Sequence, residues 1–69
     1  MKKLYSVHKD YVELDLHLVH QTEKAILVSD GIGEVWIPKS ILEDDLERLP
    51  SGLYRIIIPE SIAQDKELI

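Results

Sequence analysis

The chain contains no cysteine. Disulfide staples, thiolate zinc sites and thiol nucleophiles are therefore excluded, and the absence fits a cytoplasmic protein in a reducing compartment. Long apolar runs are missing too: none approaches the ~20 residues a membrane helix needs. Lys2 and Lys3 have no apolar stretch behind them, so residues 1–8 lack the layout of a secretory signal. Basic charge is in short supply, with eight Lys and Arg against thirteen Asp and Glu and a net charge of −5. The eight (Lys2, Lys3, Lys9, Lys24, Lys39, Arg48, Arg55 and Lys66) are scattered and form no stripe. The global field opposes the approach of a polyanion, so nucleic acid ranks below protein as a partner. There is no internal repeat, low-complexity tract or linker, and 69 residues make one domain, 1–69. A domain of this size buries only about 60% of its unfolded surface, so a partner subunit is a common source of extra stability.

What is present is a β pattern. Between Tyr11 and Val19, apolar Val12, Leu14, Leu16 and Leu18 alternate with Glu13, Asp15 and His17. Period two places one row on a core and the other in water, which predicts a strand over 11–19. His20-Gln21-Thr22-Glu23 reads as a turn. Residues 24–29, apolar on both faces in the middle, read as a strand covered on both sides. Asp30-Gly31-Ile32-Gly33 is a tight hairpin turn, and residues 34–38 form a third strand stopped at Pro38. Pro50-Ser51-Gly52 is a turn, and the β-branched run 53–58 is a fourth strand. Pro59 opens a short C-terminal helix over 59–69, with Glu60 at its positive end and Ile62, Ala63 and Leu68 as its buried face. Residues 1–9 read as a loosely held N-terminal arm or a short edge strand.

The segment 41–49 admits two readings. Ser40 followed by Glu43 fits a capping box, and Ile41, Leu42, Leu46 and Leu49 fall on one helical face, which favours a short helical turn. The alternative continues a strand through Ile41 and ends it at Asp44-Asp45. The sum is a mainly β domain with one or two short helices, its small antiparallel sheet curled into an SH3-like or OB-like barrel.

Three stretches carry a resemblance. Residues 23–28, Glu34-Val35-Trp36-Ile37-Pro38-Lys39-Ser40 and Ile58-Pro59-Glu60 resemble the pattern K-A-x-L-V … E-V-W-x-P-K-S … P-E-W-L-A of a group of small bacterial, phage and prophage proteins. The resemblance covers most of residues 12–69. In that group a tryptophan follows the Pro-Glu pair where Ser61 stands here, and a strand continues after Lys-Ser. The resemblance implies a mobile-element or DNA-metabolism setting for an accessory protein. It supplies no activity and no site residues.

The candidate chemistry is thin. His17 and His20 are three apart, a spacing that puts strand side chains on opposite faces, and with Asp15 they fall short of a zinc ligand set. The carboxylates Glu43, Asp44, Asp45 and Glu47, and those at Glu60, Asp65 and Glu67, sit on polar segments as a solvated face does; general acid–base work needs carboxylates set apart in a shielded cleft. Ser6, Ser29, Ser40, Ser51 and Ser61 suggest no nucleophile–base–orienter arrangement. Gly31 and Gly33 lack the third glycine or the Gly-Lys-Ser/Thr ending of a phosphate loop. These features predict no catalysis, no cofactor and no metal.

Trp36, Pro38, Lys39 and Tyr54 remain as binding candidates. Tryptophan beside lysine, with Tyr54 and Tyr11 on the same side, would make a stacking platform for single-stranded nucleic acid. Trp36 packed in the core or a subunit interface is the competing and favoured assignment, because either Trp36 or the pair Val35 and Ile37 faces inward. The favoured function is a non-enzymatic binding or accessory module, cytoplasmic and not membrane-bound, whose partner is another protein or its own copy. A single-strand binder using Trp36 and Lys39 ranks second, and an acidic mimic of DNA third.

Overall fold

Val12, Leu14 and Leu16 are the row on which the fold is built. In the computed structural model, which describes residues 6–8 and 10–69, all three are wholly buried. Of the N-terminal 1–9, residues 6–8 form strand β1 (Ser6–His8), the edge-strand alternative, and the rest of the arm except these lies outside the described residues. The alternating segment is β2 (Tyr11–Gln21), two residues longer than the pattern predicts. Strands β3 (Ala25–Ser29), β4 (Glu34–Pro38), β5 (Glu47–Arg48) and β6 (Tyr54–Pro59) follow, and helix α1 (Glu60–Asp65) comes last.

Every pairing is antiparallel, in the order β4-β3-β2-β6-β5, with β1 also on β2. β2 serves two neighbours in turn: Tyr11–Leu16 pairs with β6 and His17–Gln21 with β3. A β-bulge between Leu18 and His20 lies just past this change of partner. Bulges bend a strand and sharpen its twist, so the two halves of the sheet curl around one core. That core joins Val12, Leu14 and Leu16 to Ile26, Val28, Ile37, Ile56, Ile58, Ala63 and Leu68 in a single cluster. The sheet is not closed into a barrel: no ladder among the described residues joins β4 to β5.

Two local expectations change. Over 41–49 neither a helix nor a continued strand forms. A 3-10 turn covers Lys39–Ile41, preceded by Pro38 with no side-chain cap, so the Ser40–Glu43 box is not made. The amide of Glu43 donates instead to the carbonyl of Ile57 at 2.8 Å, which ties the segment back to β6 and leads into β5. Ile41, Leu42 and Leu46 pack against the core from this irregular path. At the C-terminus, Pro59 is the last residue of β6 and precedes the helix, its φ of −57° serving both.

The helix is shorter than 59–69 and stops in a tight left-handed turn. Glu67 has φ of 58°; its amide bonds the carbonyl of Gln64 at 3.0 Å and that of Leu68 bonds Ala63 at 2.8 Å. This Schellman pairing folds Leu68 back beside Ala63, and both are buried. No helix among the described residues is long and apolar enough to cross a membrane.

Candidate functional site

The hairpin of β3 and β4 carries the candidate site. Its turn is held by side chains: the Asp30 carboxylate accepts the amides of Ile32 at 2.9 Å and Gly33 at 3.0 Å, and the Ser29 hydroxyl accepts that of Gly31 at 3.0 Å. Gly31 takes φ of 93°, which glycine alone adopts without strain. Ile32 is left at the tip, 93% exposed.

Register then decides where Trp36 points. Ile37 lies opposite Ile26 and Val35 opposite Val28, and this row faces the core. A one-residue slip would bury Glu34 and Pro38 along with Trp36 and expose the two aliphatics. Trp36 therefore lies on the outer face, 46% exposed, and its assignment to the core is corrected. Across the ladder it meets Leu27, which is half-buried; β3 is thus covered fully on one face only.

The bulge in β2 adds a second correction. His17 pairs with Ser29 and His20 with Leu27, two residues apart on β3, so both histidines share the outer face. Val19, the extra residue, has no cross-strand partner and is 47% exposed. His20 belongs to the strand and not to a turn, and its ring stands edge-on to Trp36, with centroids 6.3 Å apart at 90°. Among the described residues no three His, Cys, Asp or Glu side chains gather as a metal would require.

The backbone of β4 is exposed as well. Asp30 and Gly33 are hydrogen-bonded, and so are Lys39 and Lys24. Antiparallel ladders alternate, which makes Ile26–Ile37 and Val28–Val35 bonded pairs and leaves Leu27–Trp36 and Ser29–Glu34 non-bonded. The amides and carbonyls of Glu34 and Trp36 therefore point away from β3, at the free end of the sheet. Pro38 occupies the next outward position, where its missing N–H costs the ladder nothing.

The four sequence candidates do not converge. Trp36 and Pro38 share one row of β4. Lys39 is half-buried, and with Leu42, Glu43, Asp44, Asp45 and Leu46 it lines an open depression of about 340 Å³. Tyr54 pairs with Leu16 on the core side of the sheet, opposite to the face of Trp36. Tyr11 is on the outer face but beside Glu43, whose charge first and hydrogen bond second hold its phenol above the ordinary tyrosine value.

The outer face over β2, β5 and β6 is charged. Arg55 reaches Asp15 through two hydrogen bonds, of 2.9 and 3.3 Å, and lies 3.7 Å from Glu13, with Glu47 opposite it in the ladder. The Asp15 hydrogen bond and then its charge hold the guanidinium proton more tightly than usual. No protein-family model, curated protein sequence or solved structure matches this chain.

Proposed function

We propose that this protein is a non-enzymatic binding module that takes an extended polypeptide strand along β4, in the mobile-element setting its sequence resemblance implies. The carrying observation is Trp36: a half-exposed tryptophan on the outermost strand, with its own amide and carbonyl directed outward. Strand addition uses the main-chain groups of such an edge for affinity and its alternating side chains for selection. Tryptophan is among the residues that dominate binding energy when an interface covers it. Leu27 lies across the ladder from it, and the His20 ring stands edge-on to it.

The test is to pan a displayed library of short peptides on the protein and on Trp36→Ala. Extended apolar peptides enriched on the first and lost on the second support the proposal, and equal or absent enrichment on both removes it. Quenching of Trp36 emission by oligothymidylate, weakening steeply with salt, would transfer the site to single-stranded nucleic acid.

A further inference from the structure

We infer that the strand taken by β4 is a basic one: an extended peptide with a large apolar or aromatic side chain two positions from a lysine or arginine, and a further basic residue beyond. The inference rests on the reading of β4 as the binding edge and names the chemistry of its occupant.

The distribution of charge is the first observation. From Glu23 to Leu46, which spans the β3–β4 hairpin and the segment after it, six carboxylates stand against Lys24 and Lys39. Four of the chain's five net negative charges fall there, and the rest of the chain, with seven acidic against six basic side chains, is close to neutral. The acids flank β4 at both ends. Asp30 and Glu34 stand at the turn end; past Pro38 come Glu43, Asp44 and Asp45, and Glu23 adjoins Lys24, which is bonded to Lys39. Glu23, Glu34, Glu43, Asp44 and Asp45 are exposed, and none of the five is in an ion pair with a described residue. Such an edge draws in a cationic chain. It repels a polyanion, and it repels a second copy, which brings the same acids to both ends.

The second observation is the spacing of what the edge presents. Glu34 and Trp36 both direct main-chain groups outward, and, being two apart, both lie on the outer face, where both are exposed. A strand added here sets two of its own residues on that face, also two apart, one beside each. The residue beside Trp36 covers a half-exposed indole, which favours an aromatic or large aliphatic side chain. The residue beside Glu34 meets an exposed carboxylate, which favours lysine or arginine, since opposite charges across a ladder stabilise it and like charges weaken it. Past Pro38, the open depression lined by Lys39, Leu42, Glu43, Asp44, Asp45 and Leu46 sets three exposed carboxylates around one half-buried lysine, and it suits the second basic side chain.

Trp36 is the only tryptophan, so its emission reports occupancy of the edge directly. The probes are soluble ten-residue peptides of one extended design without tryptophan or tyrosine. Each carries a leucine two positions from a lysine, in either order, and a second lysine at one end. Matched peptides carry glutamine or glutamate at both lysine positions. Titrated into the full chain, the lysine peptide is expected to shift the emission saturably. The glutamine peptide should bind about three- to tenfold more weakly and the glutamate peptide more weakly still. Added salt should narrow the gap between the lysine and glutamine peptides. Glu34→Gln, and separately Asp44→Asn with Asp45→Asn, should each lower the preference for lysine over glutamine, with unfolding curves to show that the variants fold.

A glutamine or glutamate peptide that binds as tightly as the lysine peptide at low salt overturns the inference. So does a preference for lysine that survives both neutralisations. In these cases the peptides still bind at Trp36, and the binding module stands with another selectivity. No shift with any of the three peptides also overturns the inference, and the module then stands or falls with the displayed library.

Discussion

The two halves of the sheet have the same inside and different outsides. Over β2 and β6 the inward row is Val12, Leu14, Leu16, Ile56 and Ile58, and over β3 and β4 it is Ile26, Val28 and Ile37, all wholly or almost wholly buried. Outward, the first half presents Glu13, Asp15 and Arg55, joined by hydrogen bonds and ion pairs, with Glu47 opposite Arg55 in the ladder. The second presents His17, His20, Leu27 and Trp36 beside an edge that nothing in the described fold covers. A core of one composition thus supports a surface that answers its own charges at one end and leaves apolar area and backbone groups open at the other. The proposed interaction surface lies on the hairpin, where this contrast leaves apolar side chains and main-chain groups open.

The largest effect tests the shared inside. Leu14→Ala and Ile37→Ala, one from each half, should each cost about 2–5 kcal/mol in denaturant unfolding, a large share of the stability of a domain this small. If Ile37→Ala instead opens only the hairpin, seen as hydrogen exchange confined to β3 and β4, the halves do not share one cooperative core.

The outside of the hairpin should matter far less to folding. Trp36→Ala is expected to change stability by about 1 kcal/mol or less, because half the ring is already in water, while removing binding. A loss as large as that of Leu14→Ala would return Trp36 to a structural role. On the charged half, Arg55→Ala leaves Asp15, Glu13 and Glu47 facing one another. The melting temperature should fall modestly, and added salt should shrink the difference, since the pair is partly exposed and screened. A salt-independent loss would mean that packing of the arginine stem is what counts.

The smallest effect is a titration. The Tyr11 phenol is raised in the folded chain by Glu43, so its contribution is fully present below the ordinary tyrosine value and is lost as pH rises through the raised one. Stability should therefore decline with pH in the alkaline range. Glu43→Gln should bring the phenolate absorbance of one tyrosine back toward the ordinary value and flatten that decline. An unchanged absorbance curve would exclude Glu43 as the cause.

Much of this is legible in the sequence. The alternation from Val12 to Leu18 names three of the core residues and the strand that carries them. The turns at 30–33 and 50–52 fall where glycine permits a positive φ at Gly31 and Gly52. The adjacent apolar pair Leu18-Val19 breaks the alternation where the bulge falls, but only the pairing with β3 shows that His20 faces outward.

What period two cannot supply is the choice between faces for a short strand with apolar residues on both sides. For β4 that choice came from β3, because Ile37 and Val35 find buried partners in Ile26 and Val28 and Glu34 cannot follow Trp36 inward. The path of 41–49 was equally beyond local reading: it is set by contacts distant in sequence, the hydrogen bond from Glu43 to Ile57 fourteen residues away and the packing of Ile41, Leu42 and Leu46 on the core. By itself the sequence determined the four longer strands, the two glycine turns and most of the core, because these depend on neighbours along the chain. The tertiary structure alone decided the orientation of Trp36, the shared face of the two histidines and the open edge of β4, because these depend on register between strands distant in sequence.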